Sequence, residues 1–236
     1  MQQRSRAIIL RRVGYGEADW IVTFLCREHG RMSGIAKSAR SSRRRFGGAL
    51  ESGTLVDLHI TARGSSRLVR LEEAIVALPI NGVLKSLERI GAMQRALALA
   101  LAFVQERDPN PEKFDLLSAR IRSLCEHEPI PEEGVAFELD WLARCGFGPA
   151  VAYCAACGRK ADLPGRWYFE FDRGGIVCAG CGSAGGMRVP LSNDARLGFL
   201  SVSGFETGAQ AAHAEAARAV LSRYIDHVLG RPLFVR

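Results

Sequence analysis

The chain has 236 residues, 47% of them apolar and 24% charged, with a formal net charge of +7. That is enough for one large domain or two to three small ones, and normal apolar content without a long polar tract excludes wholesale disorder. The longest apolar run, Ala96 to Val104, has nine residues, where a membrane-spanning helix needs about 20.

The N-terminal run MQQRSRAIILRRVGYGEADW has no apolar stretch followed by a small-residue cleavage site, so the protein is expected in the cytoplasm. The first third then reads as strands. Ala7–Arg12, Ile21–Cys26, Met32–Ala36, Leu55–Ile60 and Leu68–Ile75 are apolar or alternating runs of strand length, separated by glycine-bearing turns. Five strands in under eighty residues predict a small barrel. The basic composition favours an OB-fold, although an SH3-like barrel would read much the same. The segment Lys37–Gly48 (KSARSSRRRFGG) has no apolar periodicity and predicts a long loop.

The excess positive charge lies entirely here. Residues 1–79 hold fourteen Lys and Arg against seven Asp and Glu, whereas the remaining 157 residues carry eighteen of each. Such asymmetry points to a polyanion, because cations placed near phosphates release condensed counterions. Thirteen of the fourteen bases are arginine, which can fork onto phosphate or lie flat on a base. A merely solvated basic surface is the bland alternative. An anionic membrane surface is the other, but neither a basic amphipathic helix nor a lipidation signal accompanies the charge.

From Ile80 the period changes to helical. Leu84, Leu87 and Ile90, then Leu97, Leu101 and Val104, then Phe114, Leu117, Ile121 and Leu124 are spaced for helices. Prolines at 109, 111, 129 and 131 punctuate them. Glu132–Cys145 predicts a central helix with Val135, Phe137, Leu139, Trp141 and Leu142 on more than one face, and Ala211–Leu229 predicts a C-terminal helix stopped by Gly230 and Pro232.

Cys154-x-x-Cys157 and Cys178-x-x-Cys181 are two thiolate knuckles with twenty residues between them, a spacing that closes a tetrahedral zinc site. Trp167, Phe169 and Phe171 alternate between the knuckles and Gly174-Gly175 turns the chain, which predicts a zinc-ribbon hairpin. Four thiolates leave no open coordination position, so one zinc ion in a structural role is expected. Cys26, Cys125 and Cys145 sit in apolar runs at no ligand spacing and predict small core residues.

Motifs for catalysis are missing. In GRMSGIAKS, Gly34 and Lys37 are separated by two residues, which breaks the phosphate-loop pattern. Gly14-Tyr15-Gly16 lacks the third glycine of a dinucleotide fingerprint. There is no H-E-x-x-H, no G-x-S-x-G, and the five histidines are scattered. The expectation is a protein that is not an enzyme.

The run AIILRRVGYGEADWIVTFLCREHGRMSGIAKSAR resembles the start of the bacterial DNA repair protein RecO family: an apolar strand, Gly16-Glu17, a second strand, His29-Gly30-Arg31, then Lys37 and Arg40 leading into Arg43, Arg44 and Arg45. The resemblance continues at Phe137-Glu138-Leu139, Gly146-Phe147-Gly148-Pro149, Gly174-Gly175-Ile176-Val177-Cys178 and Gly230-Arg231-Pro232-Leu233. It implies an N-terminal OB-fold and a helical domain carrying a zinc ribbon. It also implies a recombination mediator that binds single- and double-stranded DNA, anneals complementary strands and contacts the C-terminal tail of the single-strand binding protein (SSB). With its partner RecR such a protein helps load RecA onto SSB-coated gaps, in the cytoplasm at the nucleoid, without ATP hydrolysis and without a membrane. Two departures stand out. Relatives often carry basic residues before the Phe-Glu pair where this chain has Val135-Ala136, and a smaller or polar residue where it has Trp20. Trp20 is either a stacking platform for a base or a plug at the barrel end.

The expected organisation is α+β multidomain: an OB-fold over residues 1–79, a helical domain over 80–153 and 189–236, and the zinc ribbon inserted at 154–188. Expected DNA contacts are Arg43, Arg44 and Arg45, then Lys37, Arg40, Arg11 and Arg12; expected zinc ligands are Cys154, Cys157, Cys178 and Cys181. A zinc-ribbon, OB-fold RNA-binding or transcription factor without annealing activity is the alternative of another class.

Overall fold

Five strands build the N-terminal part: β1 (Gln2–Tyr15), β2 (Asp19–Cys26), β3 (Gly30–Ala36), β4 (Leu55–Thr61) and β5 (Leu68–Leu78). The computed structural model describes residues 2–42, 44–61, 68–182, 186–204 and 210–234. The strands close into a barrel in the order β1-β2-β3-β5-β4, with β3 and β5 parallel and the other pairs antiparallel. That order is the OB-fold arrangement and decides against an SH3-like barrel.

Closure depends on β1 serving two neighbours. Gln2 to Ile8 pair with β4, Ala7 to Tyr15 pair with β2, and the register shifts between Ile9 and Arg11. A bulge of this kind bends a strand and tightens its twist. Alternate residues then fill the interior: Val22, Phe24 and Cys26 from β2, and Val56, Leu58 and Ile60 from β4. The connection from β3 to β4 is more than a loop. Phe46, Ala49 and Leu50 from its second half enter the barrel core.

Two helices belong to the same compact unit, which runs from Met1 to Glu128. After a 3-10 turn at Val83–Lys85, α1 spans Leu87–Phe103 and α2 spans Pro111–Glu126. Ser86 and Asn110 cap them by accepting the amides of Arg89 and Lys113, and Pro111 occupies the first turn of α2, where no amide is needed. The connector between the helices is joined to the barrel, since the Arg107 amide donates to the Arg31 carbonyl at 2.9 Å. Gly30 has a φ of +68°, and a Cβ there would collide with the backbone of Asp108, so the approach requires glycine.

The second compact unit, Pro129–Arg236, holds α3 (Pro131–Arg144), β6 (Trp167–Glu170), β7 (Gly175–Cys178), β8 (Arg188–Pro190), α4 (Asn193–Val202) and α5 (Ala211–Leu229). The strands form a three-stranded antiparallel sheet in the order β7-β6-β8. Phe169 of β6 packs its ring 6.2 Å from Phe199 of α4 and 5.3 Å from Tyr224 of α5. Trp141 of α3 is fully buried, as its two-faced apolar pattern requires. The expected ribbon thus gains a third strand, and the helical set gains α4. No helix among the described residues is long and apolar enough to cross a membrane.

Candidate nucleic-acid interface and metal site

The ribbon brings four sulfurs together. Cys154 and Cys157 lie on a turn that hydrogen-bonds alongside β7, the Ala155 amide between them donating to the Ile176 carbonyl at 2.8 Å. Cys178 ends β7 and Cys181 follows on the second turn. All four Sγ atoms lie within 4.8 Å of one another. A tetrahedron with zinc–sulfur bonds of about 2.3 Å has edges of about 3.8 Å, and the Cys157 and Cys178 sulfurs are 3.8 Å apart. The site therefore fits a metal ion of zinc's size and preference, with all four positions filled by the chain. Burial raises the Cys154 thiol, but amides from Cys178, Cys157 and Ala156 outweigh it and bring the group down to about 6. Those amides favour the thiolate a metal requires. Hydrogen bonds with Cys157 and Cys178 push Cys181 up to about 12, since the four cysteine sulfurs crowd one point.

The barrel's basic residues fall into separate groups. Arg12 and Arg40 come from β1 and from the loop after β3, yet both meet at Trp20: their guanidinium carbons lie 4.7 Å and 4.8 Å from the indole. Trp20 is half-buried and packs against the barrel core. Arg12 also pairs with Glu51 at 2.7 Å. Arg11 is its neighbour on a strand and so points to the opposite face, where it is exposed.

The loop itself is held at both ends. Asp19 accepts the Ser38 amide at 2.8 Å and lies 4.0 Å from the Lys37 ammonium. Arg45 donates from Nη2 to the Lys37 carbonyl at 2.7 Å and covers the Phe46 ring at 5.0 Å. Its own carbonyl accepts the Ala74 amide of β5 at 2.9 Å. Arg44 is exposed, and Arg43 lies outside the described residues. The acids that organise this surface, Asp19 and Glu51, were not singled out from the sequence. No spacing signals them, because each finds its base on a different segment brought alongside by the fold.

A closed OB barrel with an arginine-rich end, a helical segment and a ribbon of four cysteines defines an OB-barrel protein whose ribbon could hold a metal ion. Comparison with known proteins narrows this class. The family model described as "Recombination protein O N terminal" matches residues 1–79, and "Recombination protein O C terminal" matches residues 84–236. The DNA repair protein RecO of Anaeromyxobacter dehalogenans (strain 2CP-C) is 36% identical over 97% of this chain and 92% of its own length. That of Myxococcus xanthus (strain DK1622) is 36% identical over 96% and 92%, and that of Syntrophobacter fumaroxidans is 35% identical over 74% and 69%. The chain belongs to the RecO family of DNA repair and recombination proteins.

Proposed function

We propose that this protein is a recombination mediator that binds single- and double-stranded DNA on its barrel and anneals complementary strands. The observation that carries the reading is the confinement of all the excess positive charge to the segment that folds as the OB barrel. Two strands held on a cationic surface repel each other less, and base complementarity then drives pairing. No chemical step is required. The contacts proposed are Arg44, Arg40, Arg12, Lys37 and Arg11, with Arg43 beside them and Arg45 holding the loop.

The same reading assigns the balanced remainder of the chain to protein partners: RecR, the SSB C-terminal tail and, through them, RecA. The ribbon holds one zinc ion through Cys154, Cys157, Cys178 and Cys181. Its function is to fix the two turns to β7, and residues 154–188 act as an insertion stabilising the helical domain rather than as a DNA contact. The protein works in the cytoplasm at the nucleoid.

The test is annealing of complementary SSB-coated DNA strands without nucleotide, by wild type and by an Arg43/Arg44/Arg45→Ala variant. The expected result is annealing by wild type that the variant loses. Annealing by both keeps the function and moves the site. DNA binding without annealing by wild type removes the mediator reading and leaves an OB-fold, ribbon-type factor in its place.

A further inference from the structure

The indole of Trp20 lies in a slot made by small neighbours. It faces Gly14 on β1 and Ala36 on β3 across the strand pairs, and directly opposed residues share one face of a sheet. Neither neighbour can cover the ring. The two guanidinium groups that do so are held differently. Arg12 is anchored to the carboxylate of Glu51 at 2.7 Å. Arg40 is exposed, donates to the Glu17 carbonyl at 3.2 Å, and lies across Gly14 where a Cβ would collide with its Nη2.

We propose that the Arg40 guanidinium keeps the place of an unpaired DNA base, which stacks on Trp20 above Gly14 while Arg40 moves to a flanking phosphate. The inference rests on the reading of the barrel as a DNA-binding surface and adds which form of DNA this end of it selects. A guanidinium is flat and stacks on aromatic faces much as a base does, and that of Arg40 already lies over this ring, 4.8 Å from its centroid. The exchange is favourable at both ends. A base–indole stack is stronger than an exposed cation–π contact, and a phosphate is a better partner for arginine than a peptide carbonyl. A base within a duplex would first have to leave its own stack. Trp20 is therefore a specificity-determining residue for single strands, whereas Arg12 and the loop cations serve either form.

The indole itself supplies the readout. Of three tryptophans, Trp141 is 0% exposed and Trp167 3%, so Trp20 is the one a ligand can reach. The full-length protein is titrated with unlabelled oligothymidylate and with a duplex while tryptophan emission is followed. Binding is measured in parallel by anisotropy of labelled DNA. Expected results are strong quenching by the single strand and little by the duplex, with the quenching lost in Trp20→Phe. Trp20→Leu, which keeps an apolar contact with the core but has no π face, should weaken single-strand binding about ten-fold or more and leave duplex binding unchanged. Trp20→Phe should restore most of that loss. Single-strand binding that leaves wild-type emission unmoved, or equal weakening of both DNA forms by Trp20→Leu, overturns the proposal while the barrel reading stands. Failure of the wild type to bind either form overturns both.

Discussion

Arg45 donates through Nη2 to the carbonyl oxygen of Lys37 at 2.7 Å, folding the basic loop back on itself. The contact separates two neighbouring arginines by role. Arg44 projects into solvent, while Arg45 holds backbone and covers Phe46. Arg44→Ala should thus lower the slope of log affinity against log salt by about 0.7 for single-stranded DNA, the share of one phosphate contact. Arg45→Ala should leave a smaller change in slope and instead reduce thermal stability, since Phe46 belongs to the barrel core. Salt titrations and melting curves on the two single variants check this, and an identical slope change in both would contradict it.

Metal removal should act through the ribbon's packing. Trp167 is buried and pairs with Cys178 across β6 and β7, so a chelator that strips the four-cysteine site should expose its indole and shift emission to the red. Elemental analysis should find one zinc per chain, reduced in Cys154→Ser or Cys178→Ser. The red shift should disappear in Trp167→Phe.

Arg89 in α1 is a buried cation with four acceptors. Its Nη1 donates to the carbonyls of Gly82, Leu124 and Cys125 at 3.1, 3.4 and 3.2 Å, and its Nε to Glu128 at 2.8 Å. Two of these carbonyls close the C-terminal end of α2, where cations are favoured. Arg89→Leu should cost about 2 kcal/mol or more by leaving buried acceptors unpaired, seen as a lower urea midpoint with an unchanged m-value. Arg89→Lys should recover only part, because a single ammonium can take the place of Nη1 at the carbonyls or of Nε at Glu128 but not of both.

Burial pushes the Cys26 thiol up to about 11, which the Ser5 hydrogen bond opposes and the nearby Glu28 charge reinforces. The folded chain then holds this proton more tightly than the unfolded one, whose thiol titrates near 9. The stabilisation is fully present below pH 9 and is lost as pH rises from 9 to 11, by on the order of 2 kcal/mol. Denaturation series between pH 8 and 11 on wild type and Cys26→Ala should show a shallower alkaline decline in the variant. Parallel declines would assign the loss to other groups.

The barrel strands were legible because each carries an apolar run bounded by glycine, and the four-cysteine cluster because ligand spacing is a local property of sequence. What escaped was decided at a distance. β1 extends to Gln2 and Tyr15 through polar and basic residues that only pairing with β4 and β2 makes into strand. α4 is ten residues long with Gly198 inside it, a weak helix by propensity. Its glycine is explained by the His213 backbone, which leaves no room there for a Cβ. β8 has three residues and no alternation, and exists because β6 offers it an edge. The basic loop was legible in composition alone. Its carbonyl tether, its acidic anchors and the plug formed by Phe46, Ala49 and Leu50 are long-range contacts that no window of sequence displays.

The meeting of Gly30 with the backbone of Asp108 bears on how the gene can be divided. A fragment ending at residue 79 would keep all five barrel strands yet lose the peptide that Arg31 binds and the helix whose Asp115 pairs with Arg27 at 3.0 Å. Its exposed seam would include the buried outer-face residues Ile8, Leu10 and Leu25 of the first two strands. The smallest piece that carries its own cover runs to Glu128, and expression trials of an isolated N-terminal half should be cut there.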